Sequence, residues 1–202
     1  MSSKPEVLVF DLGGVLINWN GIDPLIRLSG GRLDREAARQ FWMHTPWAAK
    51  LDLGECTPLE FAGAMADELQ LQISPEDMLA QLRSWNSGAF PGARALLQQL
   101  SAEWPLAALS NINSSHWQQV SEEFHLVDLF DHVFASYQIR LRKPDPAVYS
   151  HVEQALGRQG KQIAFFDDNI ECVEAARAAG WQAFHTVGFE PLQATLRAQG
   201  WL

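Results

Sequence analysis

Four places in this 202-residue chain set polar side chains at or beyond the ends of short apolar runs. In Phe10-Asp11-Leu12-Gly13-Gly14-Val15 a carboxylate follows the run Val7 to Phe10, and the glycines behind it let backbone approach a ligand. Such an aspartate can act as nucleophile or metal ligand; the alternative is an Asp that caps a turn. Leu109-Ser110-Asn111 offers a hydroxyl and an amide ahead of a helix starting near Ser114, which makes either an anion pocket with the helix N–H donors or an ordinary turn. Arg142-Lys143-Pro144-Asp145-Pro146 carries a lysine in a loop stiffened by two prolines, so its ammonium can be aimed at a phosphoryl oxygen and a carboxylate, or left in solvent. Phe165-Phe166-Asp167-Asp168-Asn169 puts two acids side by side. Their repulsion calls for a compensating charge such as a divalent cation, and capping of the next helix by Asp168 or Asn169 is a competing role that can coexist with it.

The elements that must position these groups alternate. Val7 to Phe10, Pro105 to Leu109, Val133 to Ala135 and Ile163 to Phe166 read as buried strands, with a weaker fifth at Ala183 to Val187. Between them helical patterns run over Ala93 to Ala102, Ser114 to Phe124, Pro146 to Gly157 and Ile170 to Ala179, the last stopped by Gly180. This order implies an α/β fold with an open, Rossmann-like parallel sheet, in which ligands collect beyond the carboxyl ends of the strands. All four polar groups fall there. The stretch from 21 to 87 breaks the alternation: it offers helices near Asp34 to Ala49, Pro58 to Leu69 and Pro75 to Trp85, with Thr57 and Ser74 as N-caps, and no convincing buried strand. The expected organisation is therefore a core of residues 1–20 and 88–202 with a helical insertion, 21–87, after the first strand.

Taken together, Asp11-x-Gly-Gly-Val, Ser110-Asn111, Lys143-Pro144 and Asp167-Asp168-Asn169 resemble the four ordered motifs of the haloacid dehalogenase (HAD) superfamily, over nearly the whole chain. The insertion lies where that superfamily's C1 cap is found, and Asp52-Leu53-Gly54-Glu55 with Thr57 to Phe61 resembles a cap segment of the sugar-1-phosphate phosphatase group. The resemblance implies an Mg²⁺-dependent phosphatase acting on a small phosphorylated metabolite, a sugar phosphate being one such class. Asp11 would form an aspartyl-phosphate; Asp11, the Gly13 carbonyl and Asp168 would hold Mg²⁺, with Asp167 adjoining. Ser110, Asn111 and Lys143 would bind the transferring phosphoryl group, and metal and lysine would neutralise charge so that one anion can attack another.

One position departs from the pattern. Most phosphatases of the superfamily carry a second aspartate two residues after the nucleophile to protonate the leaving oxygen, and here that position is Gly13. A general acid contributes about 10² to 10⁴ in rate, so its loss favours stable leaving groups, as in anomeric, acyl or aryl phosphates, unless another group replaces it. His44 and His116 are candidate substitutes. A haloacid dehalogenase, which needs no metal, is the first alternative, and the Asp167-Asp168 pair argues against it. A catalytically weak protein that binds a phosphorylated metabolite or a partner is the second. Among the large side chains of and near the insertion, Trp19, Trp42, Trp47, Phe61 and Trp85, the expectation is that Trp19 and Trp47 face substrate in a lid.

Composition sets the remaining bounds. Hydrophobic residues make up 47% of the chain, enough for a substantial core, and 24 acidic against 15 basic residues give a formal charge of −9 with no basic cluster, which disfavours nucleic acid. Cys56 and Cys172 lack zinc-site spacing and are expected to be free thiols. No apolar run of membrane-spanning length and no signal-peptide pattern appear, so the expected location is cytoplasmic.

Overall fold

The structure is a computed structural model that describes residues 4–202. Strand β1 (Val7–Phe10) is apolar at every position and wholly buried, as a strand covered on both faces must be. It pairs in parallel with β4 (Leu106–Ser110) on one side and β6 (Ile163–Asp167) on the other, with Leu8 opposite Leu106 and Val9 opposite Phe165. Adding β5 (His132–Ala135) and β7 (Gln182–His185) gives a five-stranded sheet of order β5-β4-β1-β6-β7. The order reverses around β1, so the crevice at its carboxyl end is the ligand position of an open α/β sheet.

Strand alternation divides the core. Leu8, Phe10, Ala108 and Phe166 point to one face, against Leu97, Leu100, Leu192 and Trp201. Val9, Leu109 and Phe165 point to the other, against Tyr149, Val152, Val173 and Trp181. The covering helices in chain order are α6 (Ala93–Leu100), α7 (Ser114–Gln118), α8 (Ser136–Ile139), α9 (Pro146–Leu156), α10 (Ile170–Ala178) and α11 (Phe189–Ala198). The helix expected over 114–124 changes character midway, α7 giving way to a π-helical turn at Gln119–Glu123.

Residues between β1 and α6 build a third hydrophobic cluster of their own, including Leu25, Ala48, Leu51, Phe61, Met65, Met78 and Trp85. They form α1 (Ile22–Leu28), α2 (Arg35–His44), α3 (Pro46–Asp52), α4 (Pro58–Glu68) and α5 (Pro75–Ser84). Thr57 closes a capping box with Glu60, and Ser74 accepts from the Asp77 amide, as expected from their spacing. The single helix expected from Asp34 to Ala49 is two. Pro46 has no N–H to continue α2 and drives Thr45 into an extended conformation (ψ 131°), then opens α3 from its first turn. Two short strands went unforeseen: β2 (Ile17–Trp19) and β3 (Asn86–Ala89) pair antiparallel where the chain leaves and re-enters the core. No helix among the described residues is long and apolar enough to cross a membrane.

Candidate active site

Asp11 is the first residue past β1, and its amide donates to the Phe166 carbonyl (2.8 Å), which extends the β1–β6 pairing by one step and brings Asp11 beside Asp167. Asp11, Asp167 and Asp168 each present an oxygen within 4.8 Å of the others. The Lys143 ammonium sits between two of them, 2.6 Å from Asp167 Oδ2 and 3.0 Å from Asp11 Oδ1, with its side chain 3% exposed. The lysine is held in place from behind. Asn111 Nδ2 donates to the Lys143 carbonyl (2.8 Å) and the Lys143 amide donates to Asn111 Oδ1 (2.9 Å), a reciprocal clamp between the β4 end and the proline-flanked loop. Asn111 retains a second amide hydrogen, and with the buried Ser110 it lines the same cavity as the aspartates.

Charge in this cluster is unbalanced: three carboxyls face one ammonium. Burial raises the Asp11 pKa to about 6, against the pull of Lys143 and with the push of Asp167. Burial likewise raises Asp168 to about 8, helped by repulsion from Asp11 and then Asp167. Lys143 responds in the opposite sense. Burial opposes its charge, but Asp11 and Asp167 outweigh burial and hold its pKa well above the ordinary lysine value. Asp167 spends both oxygens inside the protein, Oδ2 on Lys143 and Oδ1 on the Asn169 amide (2.7 Å). Asp11 Oδ1 is ion-paired but has no aligned hydrogen-bond donor. A divalent cation fits these residues: hard carboxylate donors, excess negative charge and an under-satisfied buried oxygen are what Mg²⁺ requires. Gly14 makes the approach possible, since a Cβ on it would lie 2.1 Å from Asp168 Oδ2, at a φ of +73° that side chains avoid. Gly13 lines the cavity too.

The cavity over this cluster is about 320 Å³. Trp19 on β2 reaches it as expected, but Trp47 does not: its ring lies elsewhere, under the Lys50 ammonium at 4.6 Å. Trp42 takes that place, packed edge-on against Trp19 with ring centres 5.6 Å apart. Of the two candidate histidines, His44 is exposed and outside the cavity. His116 lines it, yet Nε2 donates to the Leu82 carbonyl (3.0 Å) and Nδ1 meets the Asn113 amide (3.2 Å), which commits both nitrogens. Burial also pushes its pKa down. Cys56 and Cys172 are free. Arg39, Asp52 and Arg142 also line the cavity; no motif surrounds Arg39, Asp52 reads in the sequence only as the start of a cap-like segment, and Arg142 lies beside the more conspicuous Lys143.

Comparison with known families decides what this arrangement belongs to. The model of the haloacid dehalogenase-like hydrolases matches residues 5–180. The chain belongs to that family. It is a hydrolase, and relatives that align with it along most of both chains include phosphatases: a sesquiterpene phosphatase of Aspergillus oryzae is 30% identical over 191 residues, covering 92% of this chain and 91% of the relative. A phosphatase of Mycobacterium tuberculosis is 31% identical over 190 residues, covering 89% and 86%. The fold is shared with a HAD family enzyme of Bacteroides thetaiotaomicron solved with magnesium and inorganic phosphate, at TM-score 0.74 and 24% identity over 90% of this chain and 94% of that one.

Proposed function

We propose that the protein is an Mg²⁺-dependent phosphatase that hydrolyses a small phosphorylated metabolite through an aspartyl-phosphate on Asp11. The observation that carries this reading is the position of Asp11, which shares a buried cluster with two further carboxyls and a lysine at the carboxyl edge of the sheet. Asp11, Asp168 and the Gly13 carbonyl would hold the ion, which when bound supplies positive charge against both the attacking carboxylate and the substrate dianion. Lys143 adds a fixed charge beside the nucleophile, Asp167 fixes the lysine, and Asn111 holds the loop that carries it. Ser110 and the free amide hydrogen of Asn111 would donate to phosphoryl oxygens. Relatives named as phosphatases, and a structural neighbour solved with magnesium and phosphate, support the same reaction class.

Residues 21–87 would act as a cap, with Trp42 closing against Trp19 of β2 to form a wall that excludes water from the phosphoryl group. With Ile22 and Leu51 that wall is apolar, while Arg39 and Asn86 offer polar contacts, so the organic part of the substrate is expected to be of single-sugar or terpenoid size. The two unpaired thiols accord with a cytoplasmic location. Hydrolysis of p-nitrophenyl phosphate with Mg²⁺, with EDTA, and by an Asp11→Asn variant tests the reading. Turnover in the first case alone supports it, and Mg²⁺-independent turnover or an active Asp11→Asn variant refutes it.

A further inference from the structure

Gly13 leaves the leaving-group oxygen without its usual proton donor, and the cavity contains one carboxyl that the reaction as described does not use. Four carboxyl groups line it: Asp11, Asp167 and Asp168, which converge on one point, and Asp52, which comes from the inserted segment. We propose that Asp52 is the general acid and base of this enzyme, delivered to the site by the last residue of α3. The inference rests on the phosphatase reading above.

Asp52 is held from two sides. Its Oδ2 lies 3.2 Å from Arg142 Nη2, and Arg142 directly precedes Lys143, so one stiff loop fixes both the acid's partner and the phosphoryl-binding lysine. On the other side the turn after α3 is pressed onto the core. Gly54 has φ +68°, and a Cβ there would come within 2.9 Å of the Tyr137 carbonyl, so only glycine lets the turn sit this close to α8. Helix α8 is itself fastened next to the site: the Ile112 amide donates to Ser136 Oγ (3.0 Å), which donates back to the Ile112 carbonyl (3.2 Å). The Asp52 side chain is 18% exposed, buried enough for its proton affinity to be tuned and open enough to meet a substrate. Arg142 Nε is buried and has no hydrogen-bond partner among the described residues.

The other titratable groups of the cavity are unsuited to the task. Both nitrogens of His116 are engaged, Lys143 is fixed between carboxylates, and Cys172 is a buried thiol whose pKa burial raises. Burial lifts the Asp52 pKa to about 6, against the pull of Arg142 and then Lys143 and with a push from Asp11, so the group can give and retake a proton near neutral pH. The proton count closes. As an Asp11 oxygen bonds to phosphorus and the bond to the leaving oxygen breaks, that oxygen takes the Asp52 proton. Water then attacks the phosphorus of the aspartyl-phosphate and gives its proton to Asp52, releasing phosphate and restoring both side chains.

The test compares an alkyl ester, glycerol phosphate, with an activated aryl ester, 2,4-dinitrophenyl phosphate, whose leaving group needs no proton. In the Asp52→Asn variant the alkyl-to-aryl ratio of kcat/KM is expected to fall by about 10² to 10³ relative to wild type. Asparagine keeps the size of the side chain and a contact to Arg142, and unchanged circular dichroism would show an intact fold. Equal losses on both esters would make Asp52 merely structural, and no loss on either would assign the acid elsewhere; both results overturn the inference while leaving the phosphatase reading intact. A wild-type protein that hydrolyses neither ester overturns both.

Discussion

Replacing Asp168 by asparagine is expected to make the metal-free protein more stable. In the folded state burial, and then its neighbours Asp11 and Asp167, penalise the charged form of the Asp168 carboxyl and raise its pKa from the ordinary 3.8 to about 8. A carboxyl whose folded pKa lies above its unfolded value stabilises the fold below about pH 4, and that contribution is lost as pH rises to about 8. The full displacement corresponds to about 6 kcal/mol. Asp168 is only partly withdrawn from solvent, and screening reduces what one substitution recovers to about 2 to 3 kcal/mol at pH 8, or roughly 5 to 10 °C in Tm. The assay is thermal unfolding of both proteins in EDTA from pH 4 to 8, repeated with Mg²⁺. The variant should be the more stable at pH 8, and the curves should converge towards pH 4. Saturating Mg²⁺, which at 100 Kd is worth about 2.7 kcal/mol, should stabilise the wild type and barely affect the variant. A variant less stable than wild type at pH 8 in EDTA, or one stabilised equally by Mg²⁺, would refute the electrostatic reasoning.

Lys143→Met strips the buried Asp11 and Asp167 of their cation and should cost about 3 to 5 kcal/mol at pH 8 in EDTA, measured by urea unfolding. Gly14→Ala drives a methyl into Asp168 and forces a strained φ; calorimetry should show Mg²⁺ binding lost, with a destabilisation of about 1 to 3 kcal/mol. Protons compete with the ion for Asp168 and Asp11, so the apparent Mg²⁺ affinity should weaken as pH falls from about 8 towards 6, read by titration calorimetry at several pH values. Gly13 has room that Gly14 lacks, its nearest Cβ contact being Trp19 Cβ at 3.7 Å, and Gly13→Asp placed in the Asp52→Asn background should restore glycerol phosphate turnover, seen as a recovered alkyl-to-aryl ratio of kcat/KM.

Much of the core was legible because a strand buried on both faces leaves a plain trace: Val7 to Phe10 and Ile163 to Phe166 are unbroken apolar runs, and the acids that end them stand out. The functional groups after those runs could be located from chain order alone, since a parallel sheet brings every carboxyl end to one edge. What escaped was set by contacts between distant segments. Ile17–Trp19 and Asn86–Ala89 are too short and too mixed to read as strands; only their pairing across some 70 residues makes them so. The α2–α3 break was written in Pro46, but helical periodicity on both sides masked it. Asp52 and Arg142 gained meaning only when the turn at Gly54 was seen docked on Tyr137. Asn111 looked like a phosphate donor and is also the clamp on the lysine loop, a double use that no local pattern announces.

The claim on which all else depends is that the Asp11 carboxylate itself takes up the phosphoryl group, and acid-quenched turnover with peptide mapping tests it most directly. With Mg²⁺ and an aryl phosphate, the peptide containing Asp11 should carry one phosphoryl group in the wild type and none in the Asp11→Asn variant. Phosphate release at full rate with no phosphoryl group on that peptide, and inversion of configuration at phosphorus, would mean that water attacks the substrate directly and would contradict it.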